Sequence, residues 1–323
     1  MSVKWHGKYS KVKTLNGSGP QGSTIGLLEY LAQSNGNADC VDAESRFKFI
    51  DDLTILEVVN LITIGISSYN IKSHIPNDIP VNNGFIPGES LKSQSYIDNI
   101  CDWTKNQKMK LNKKKSNLMI FNFSKNSQFT TRINMEGHVL PVINKVKLLG
   151  TIITDDLKWD DNTASIIKKA NGRLLLLRKA AEYTKSKEDL KTIYISYIRS
   201  MLEQSSVIWH STLTKENQLD LERVQKNALR IIQGDKYEGY KITLNALQME
   251  SLFTRREELA LRFAENCVKN EKTKELFPLR KKKHTIKTRK VKKYEETRTR
   301  TERFKRSTVP FLQRLMNQHE ETN

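Results

Sequence analysis

Two short stretches of this sequence hold residues that can do chemistry: "FIDDL" at Phe49–Leu53 and "GPQGS" at Gly19–Ser23. "RFKFI" before the Asp pair and "LTILEVV" after it read as the two strands of a β-hairpin, so Asp51 and Asp52 project beyond its tip. Adjacent hard carboxylates at such a tip suit Mg²⁺ or Mn²⁺, cations that keep most of their waters and need few protein ligands. A pair of such ions about 4 Å apart stabilises the attacking and leaving oxygens of an in-line displacement at phosphorus. In the glycine loop, Gly22 lets a backbone come close, Gln21 supplies hydrogen bonds, and the helix that follows turns its N-terminus toward a phosphate. Each stretch also has an ordinary reading: Asp tolerates turn dihedrals, Gly and Pro punctuate loops, and Ser23 is a plain N-cap for "TIGLLEYLA".

The elements that must position these residues change character along the chain. Up to about residue 160 the segments are short and β-branched or alternating: "SKVKTL", "RFKFI", "LTILEVVNLITIGI", then strands at Ser116–Ser124 and Asn144–Thr154. Ser73–Gly88 contains three prolines and reads as a loop that no helix crosses. Leu91, Ile97, Ile100, Trp103 and Met109 recur at helical intervals and predict an amphipathic helix lying on a sheet. From Thr163 the period becomes 3.6, with helices starting after Thr163, Ser186 and Thr214, a stop at Gly234, and a further helix over about Leu252–Lys269. The third of these buries a stripe of Leu221, Val224, Ala228, Ile231 and Ile232. The expected fold class is α+β: a mixed sheet with helices over 1–160, a helical region over 161–250, and a C-terminal helix with a basic tail over 251–323.

With glycine loop, helix and paired-Asp hairpin in that order, the chain resembles the reverse transcriptases of non-LTR retrotransposons of the jockey/CR1-like kind. Gly19, Pro20, Gln21, Gly22 and Ser23 stand at that family's "GxPQGS" loop, which touches template and incoming nucleotide. Phe49, Ile50, Asp51 and Asp52 stand at its catalytic "Y/F-x-D-D" hairpin. "MKLNKKKSNLMIF" is similar to its "LN-x-x-KT" segment, with Lys115 at the lysine position. "VKLLGTIITDDLKW" is similar to its primer-holding "FLG" hairpin, carried here by Leu148, Leu149 and Gly150. "LERVQKNALRIIQG" resembles a helix that follows the polymerase core. The matches run in family order from Val3 to about Gly234. The resemblance implies a palm followed by a thumb-like bundle, RNA-directed DNA synthesis with Asp51 and Asp52 as metal ligands, Mg²⁺ or Mn²⁺ as cofactor, and an RNA template with a DNA primer as partners.

One departure bears on activity. The family's metal site uses another Asp upstream of the glycine loop, and residues 1–18 contain no acidic side chain. The expectation is an amino-terminally truncated polymerase with an incomplete metal site, inactive alone, whose partner is an upstream polymerase or endonuclease half. The segment "EYLAQSNGNAD" also differs from the family's more aromatic "LFLIYIND" type.

Charge supports a polyanionic partner independently. The 323 residues carry 55 Lys+Arg against 36 Asp+Glu, a net charge of +19, and Arg280–Arg306 alone holds 14 basic and 3 acidic residues. A second expectation is therefore a non-catalytic RNA- or DNA-binding protein derived from a retroelement, and the plainest reading of the run is a solvated tail or a nuclear address. A third is a retroelement fossil without a selected function. Cys40, Cys101 and Cys267 lack metal-ligand spacing and are expected to be free thiols. The absence of G-x-S-x-G and of paired histidines gives hydrolase and zinc chemistry no support. No apolar run is long enough to span a bilayer and the first residues lack a secretory core, so the expectation is an intracellular protein of nucleus or cytoplasm with no membrane partner.

Overall fold

A computed structural model describes residues 53–57, 91–122, 129–280 and 292–319 with their side chains, and the backbone alone of several short strands and of residues 320–322. The chain divides into two compact units between Asn144 and Lys145. The fold class is α+β.

In the first unit β1 (Arg46–Phe49) and β2 (Asp52–Ile55) form an antiparallel hairpin whose register runs from Arg46 opposite Ile55 to Phe49 opposite Asp52. Leu53 and Ile55 pack against Tyr96 and Ile100 of helix α1 (Lys92–Asn106), an instance of the expected helix on a β-surface. An adjoining flank of α1, through Cys101, packs with Leu91, Ile133, Met135 and Leu140. The helix ends at Asn106, where Lys108 takes a φ of 55°, so Met109 lies beyond it. Between Ser73 and Gly88 no helix is described, and Asp78–Pro80 and Phe85–Ile86 enter short parallel pairings with Asn60–Ile62 and Thr130–Thr131.

The extended sheet expected over 1–160 is not assembled among the described residues, where every sheet has two strands. The strand expected over Ser116–Ser124 reduces, in its described part, to one parallel bridge between Leu118 and Val142. Leu118 donates to the Pro141 carbonyl at 2.9 Å and accepts from the Ile143 amide at 2.8 Å. Pro141 has no N–H with which to extend that ladder.

The second unit opens with β3 (Lys145–Leu148) and β4 (Thr151–Thr154), an antiparallel hairpin where local pattern alone predicted one strand over Asn144–Thr154 and the resemblance implied a hairpin. Helix α2 (Asp160–Tyr183) follows. It begins three residues before the expected Thr163 cap. The Thr163 side chain is buried and its Oγ1 donates to the Trp159 carbonyl at 2.8 Å, a bond of the helix interior, while Asp160 and Asp161 occupy the electropositive first turn.

The second expected helix is interrupted. It runs as α3 (Lys187–Ile193), a π-helical segment Tyr194–Arg199, and one α-turn over Ser200–Glu203. It then breaks at Ser205, a non-glycine residue at φ 53°. Ser196 and Ser200 hydroxyls bond back to the carbonyls of Thr192 and Ser196 at 2.7 and 2.6 Å, contacts that loosen a regular ladder. Helix α4 (Lys215–Gln233) fits its sequence closely: Thr214 Oγ1 accepts from the Asn217 amide at 3.1 Å, and Gly234 at φ 57° terminates it. Leu221, Val224, Ala228 and Ile232 of the expected stripe are buried, and Ile231 packs at its margin. Helix α5 (Leu252–Lys269) starts from Ser251, whose Oγ accepts from the Thr254 amide at 3.1 Å.

The basic run is not uniformly a tail. Residues 281–291 lie outside the described set, but the part from Lys292 onward docks. Tyr294 is 4% exposed and meets the Phe277 ring edge-on at 6.2 Å. Helix α6 (Thr308–Thr322) adds Leu312 and Met316 to a core with Ala260, Ala264 and Cys267. Asn317 brackets Tyr294 on both sides, accepting from its amide at 2.9 Å and donating to its carbonyl at 3.1 Å. Arg306 donates to the Ser211 and Leu213 carbonyls, and Arg303 to that of Asp156. These arginines act as carbonyl caps.

At the centre of this unit Arg256 is fully buried and donates through Nε to His210 Nδ1 at 3.2 Å. Burial, and then the Arg256 charge, push His210 down to about 3. The folded chain therefore leaves His210 neutral where the unfolded chain protonates it, between pH 6.5 and about 3, and loses stability as pH falls through that window. The His210→Gln variant, which keeps an acceptor for Arg256, is expected to flatten the pH dependence of urea unfolding there by up to one proton, about 1.4 kcal/mol per pH unit. An unchanged slope would show that His210 does not supply it.

Candidate active-site and nucleic-acid elements

The Asp-pair hairpin is tied to α1 by more than its apolar face. Leu91, at the N-cap of α1, has no side chain able to cap the first turn. Glu57, two residues past β2, fills that role: its carboxylate accepts from the Lys92 amide at 3.1 Å, the Ser93 amide at 2.9 Å and the Ser93 hydroxyl. A carboxylate there also meets the positive end of the helix dipole. Sequence reading missed Glu57, and no local pattern could have found it, because its partners lie 35 and 36 positions away.

Of the catalytic candidates, Asp52 opens β2 and is paired with Phe49. Asp51 and the side chain of Asp52 lie outside the described residues, as does the whole loop Gly19, Pro20, Gln21, Gly22 and Ser23. Among the described residues no group of three or more His, Cys, Asp or Glu side chains is placed to hold a metal ion. As a donor set the Asp pair itself, two hard oxygen ligands, suits Mg²⁺ or Mn²⁺. Lys115 ends a short 3₁₀ turn, Lys113–Lys115, and is exposed. Within that lysine cluster Lys113 has a structural task, pairing with Glu136 at 3.1 Å and holding its carboxylate below the usual range.

The hairpin of the second unit is described throughout. Leu148 pairs with Thr151, so Leu149 and Gly150 make a two-residue turn, with φ of 47° and 89°. Positive φ at both central positions is the conformation whose twist matches that of the flanking strands, and it favours Asn-Gly. Leu148 is half-buried, and Leu149 is 51% exposed. Gln204, at the break after the π-helical segment, donates through Nε2 to the Leu149 carbonyl at 3.3 Å. The stem is held as well: Asn162 Oδ1 accepts from the Ile152 amide at 3.0 Å, and Lys145 pairs with Asp161 at 2.6 Å. The result is a fixed hairpin with an apolar side chain at its tip.

Cys101 and Cys267 are free, as expected, and buried; Cys40 lies outside the described residues. No described helix is long and apolar enough to cross a membrane. No family model, curated protein or solved structure matches this chain.

Two substitutions probe these anchors. Glu57→Ala, which leaves the first amides of α1 without their acceptor, is expected to lower stability by about 1 kcal/mol in chemical denaturation. Gly150→Ala forces a Cβ into left-handed backbone and to 2.7 Å from Gln204 Nε2, so a loss of about 1–3 kcal/mol is expected. Gly150→Ala with Gln204→Ala should recover only the steric part of that loss, separating contact from dihedral strain in a double-mutant cycle.

Proposed function

We propose that this chain is part of an RNA-directed DNA polymerase of the non-LTR retrotransposon type, acting on an RNA template and a DNA primer by metal-assisted nucleotidyl transfer. The observation that carries the reading is the antiparallel pairing of Arg46–Phe49 with Asp52–Ile55, which makes the Phe-x-Asp-Asp segment the closed end of a hairpin. The tight turn at Leu149–Gly150, where the family's primer-holding motif falls, is further support. In this reading Asp51 and Asp52 hold Mg²⁺ or Mn²⁺, which stabilises the attacking and leaving oxygens. Gly19 to Ser23 face template and nucleotide, Lys115 lies near the reacting phosphates, and Leu148 to Gly150 abut the primer. The roles of palm for the first region and thumb for the helices belong to the same proposal. Residues 1–18 offer no carboxylate, so in this reading the Asp pair is the whole of the metal site proposed within these 323 residues, and no extension is expected of them by themselves.

A second reading, nucleic-acid binding without catalysis, is favoured by the net charge of +19.

Binding and primer extension separate the two. The chain is expected to bind a primed RNA template, with affinity falling steeply with salt because several phosphate contacts release counterions. Failure to bind primed template at low salt overturns both readings. Primer extension with Mg²⁺ or Mn²⁺ is expected to be absent. Robust extension lost in Asp51→Asn would overturn the inactivity while upholding the polymerase. Because the segment from Lys292 onward is part of the core, the role of the basic run is better tested by neutralising lysines within 281–290 than by truncation.

A further inference from the structure

Helix α2 has one flank committed to the core and one that stays exposed among the described residues of its unit. Ile166, Ala170, Leu174 and Leu177 are buried. About half a turn away, Leu176 is 55% exposed and Tyr183 is 90% exposed, with Lys169 and Gly172 on the same outer flank. Residues 162–181 include five basic side chains and no acidic one.

Three features on this flank go beyond what folding asks. Gly172 lies mid-helix in ordinary backbone, and no atom comes within 4 Å of the position its Cβ would take. Neither dihedral nor packing calls for glycine there, and glycine weakens a helix interior. Such a position suits close approach of something outside the chain to the helix backbone. Next to it, Arg173 donates to the Tyr197 carbonyl and places its guanidinium 4.7 Å from the centre of the Tyr197 ring. Tyr197 is 53% exposed and sits in the π-helical segment, a distortion that is rare and often found at functional positions.

We propose that this outer flank of α2, together with Tyr197, is a docking track for single-stranded nucleic acid. The chemistry selects that occupant. A protein interface core would be depleted in charge, whereas here the exposed apolar and aromatic side chains are interleaved with four basic side chains against one acidic, Glu182, over Lys169–Tyr183. A polyanion with flat faces satisfies both: phosphates meet Lys169 and its basic neighbours, and unstacked bases lie on Tyr197 and Tyr183. A paired duplex keeps its bases stacked on one another, leaving the tyrosine rings without partners. From Lys169 to Tyr183 the track measures about 21 Å at 1.5 Å per residue, room for a few nucleotides. Gly172 lets the sugar–phosphate chain lie against the helix. The proposal rests on the nucleic-acid part of the function proposed above and not on its chemistry.

The test is fluorescence anisotropy of the full chain with labelled 12-mers of oligo(U) and oligo(dT), and with a 12-base-pair duplex as competitor. Tyr183→Ala and Tyr197→Ala are expected to weaken single-strand binding about 5- to 100-fold each, with unchanged far-ultraviolet circular dichroism. Lys169→Gln should lower the salt slope by about one phosphate contact. Gly172→Ala and Gly172→Gln should raise the melting temperature yet weaken binding, a combination that a purely structural glycine would not give. Wild-type affinity in the two tyrosine variants, or in both Gly172 variants, overturns the track. So does a duplex that binds as tightly as the single strands and is unaffected by the tyrosines. A chain that binds none of these nucleic acids overturns the proposed function as well, and one that binds them without using this flank overturns the track alone. A preference between oligo(U) and oligo(dT) identifies RNA or DNA as the ligand.

Discussion

The seam between α2 and α4 is the constraint on which the second unit depends. Ala170 and Ala228 are fully buried in it, as are Leu177, Leu221 and Leu229. Each large side chain so buried contributes roughly 2 kcal/mol by removal from water. Alanine at two buried positions of this core leaves room for the helices to come close. Once that seam is fixed, α2 has only one inward flank, and the positions of its outward side chains follow. The hairpin is seated through Ile153 against the same core and through Asn162 and Asp161 of the first turns of α2. Gln204 reaches the hairpin tip because the helix from Ser186 is stopped by a left-handed residue at Ser205, and the Trp209 indole donates to the Gln204 carbonyl at 3.1 Å. The tip is thus positioned by core packing two steps removed.

The first unit uses the same economy with a different device. Among its described side chains the hairpin packs Leu53 and Ile55 against α1. Glu57 supplies direction: a carboxylate bonded to two successive amides and a hydroxyl has little freedom to slide along the helix end.

What the sequence made legible follows from how local each signal is. The extent of α4 and α5, the Thr214 cap and the Gly234 stop depend on residues within a turn of one another. The strand Arg46–Phe49 and the helix at Lys92–Asn106 follow from local period in the same way. The interruption after Ile193 was illegible, since the apolar spacing Leu190, Tyr194, Ile198 and Leu202 reads as continuous helix. Its π-helical stretch differs only by hydroxyls turned back onto the backbone. The hairpin at Leu149–Gly150 was legible as a motif but not as a turn, because Leu is a poor residue for a left-handed position and its flanks read as one strand. The docking of Lys292–Asn317 was illegible for a further reason: charge density suggested solvation, while Tyr294, Gln313 and Asn317 make their bonds to segments 16 to 37 positions distant. Of the candidate site, the Asp-pair hairpin could be read from its strands, but Glu57 and Gln204 act only through tertiary contact.

Local rules broken without benefit to the core are informative about where a surface is used. Gly150 is fully accounted for within the fold, by its dihedral and by the nearness of Gln204. Gly172 is accounted for by neither. Leu149 takes a conformation costing about 1–2 kcal/mol for a residue with a branched side chain, yet the side chain remains half in solvent where Asn would sit more easily. Tyr197 is turned outward by a rare helical distortion, whereas Tyr194 in the same segment is buried and donates to Gln225 at 2.9 Å. A fold selected for stability alone would have removed such costs, since each is a single substitution from relief. That these three sit at outward-facing positions is consistent with the proposal that something binds the outer flank of α2 and the hairpin tip.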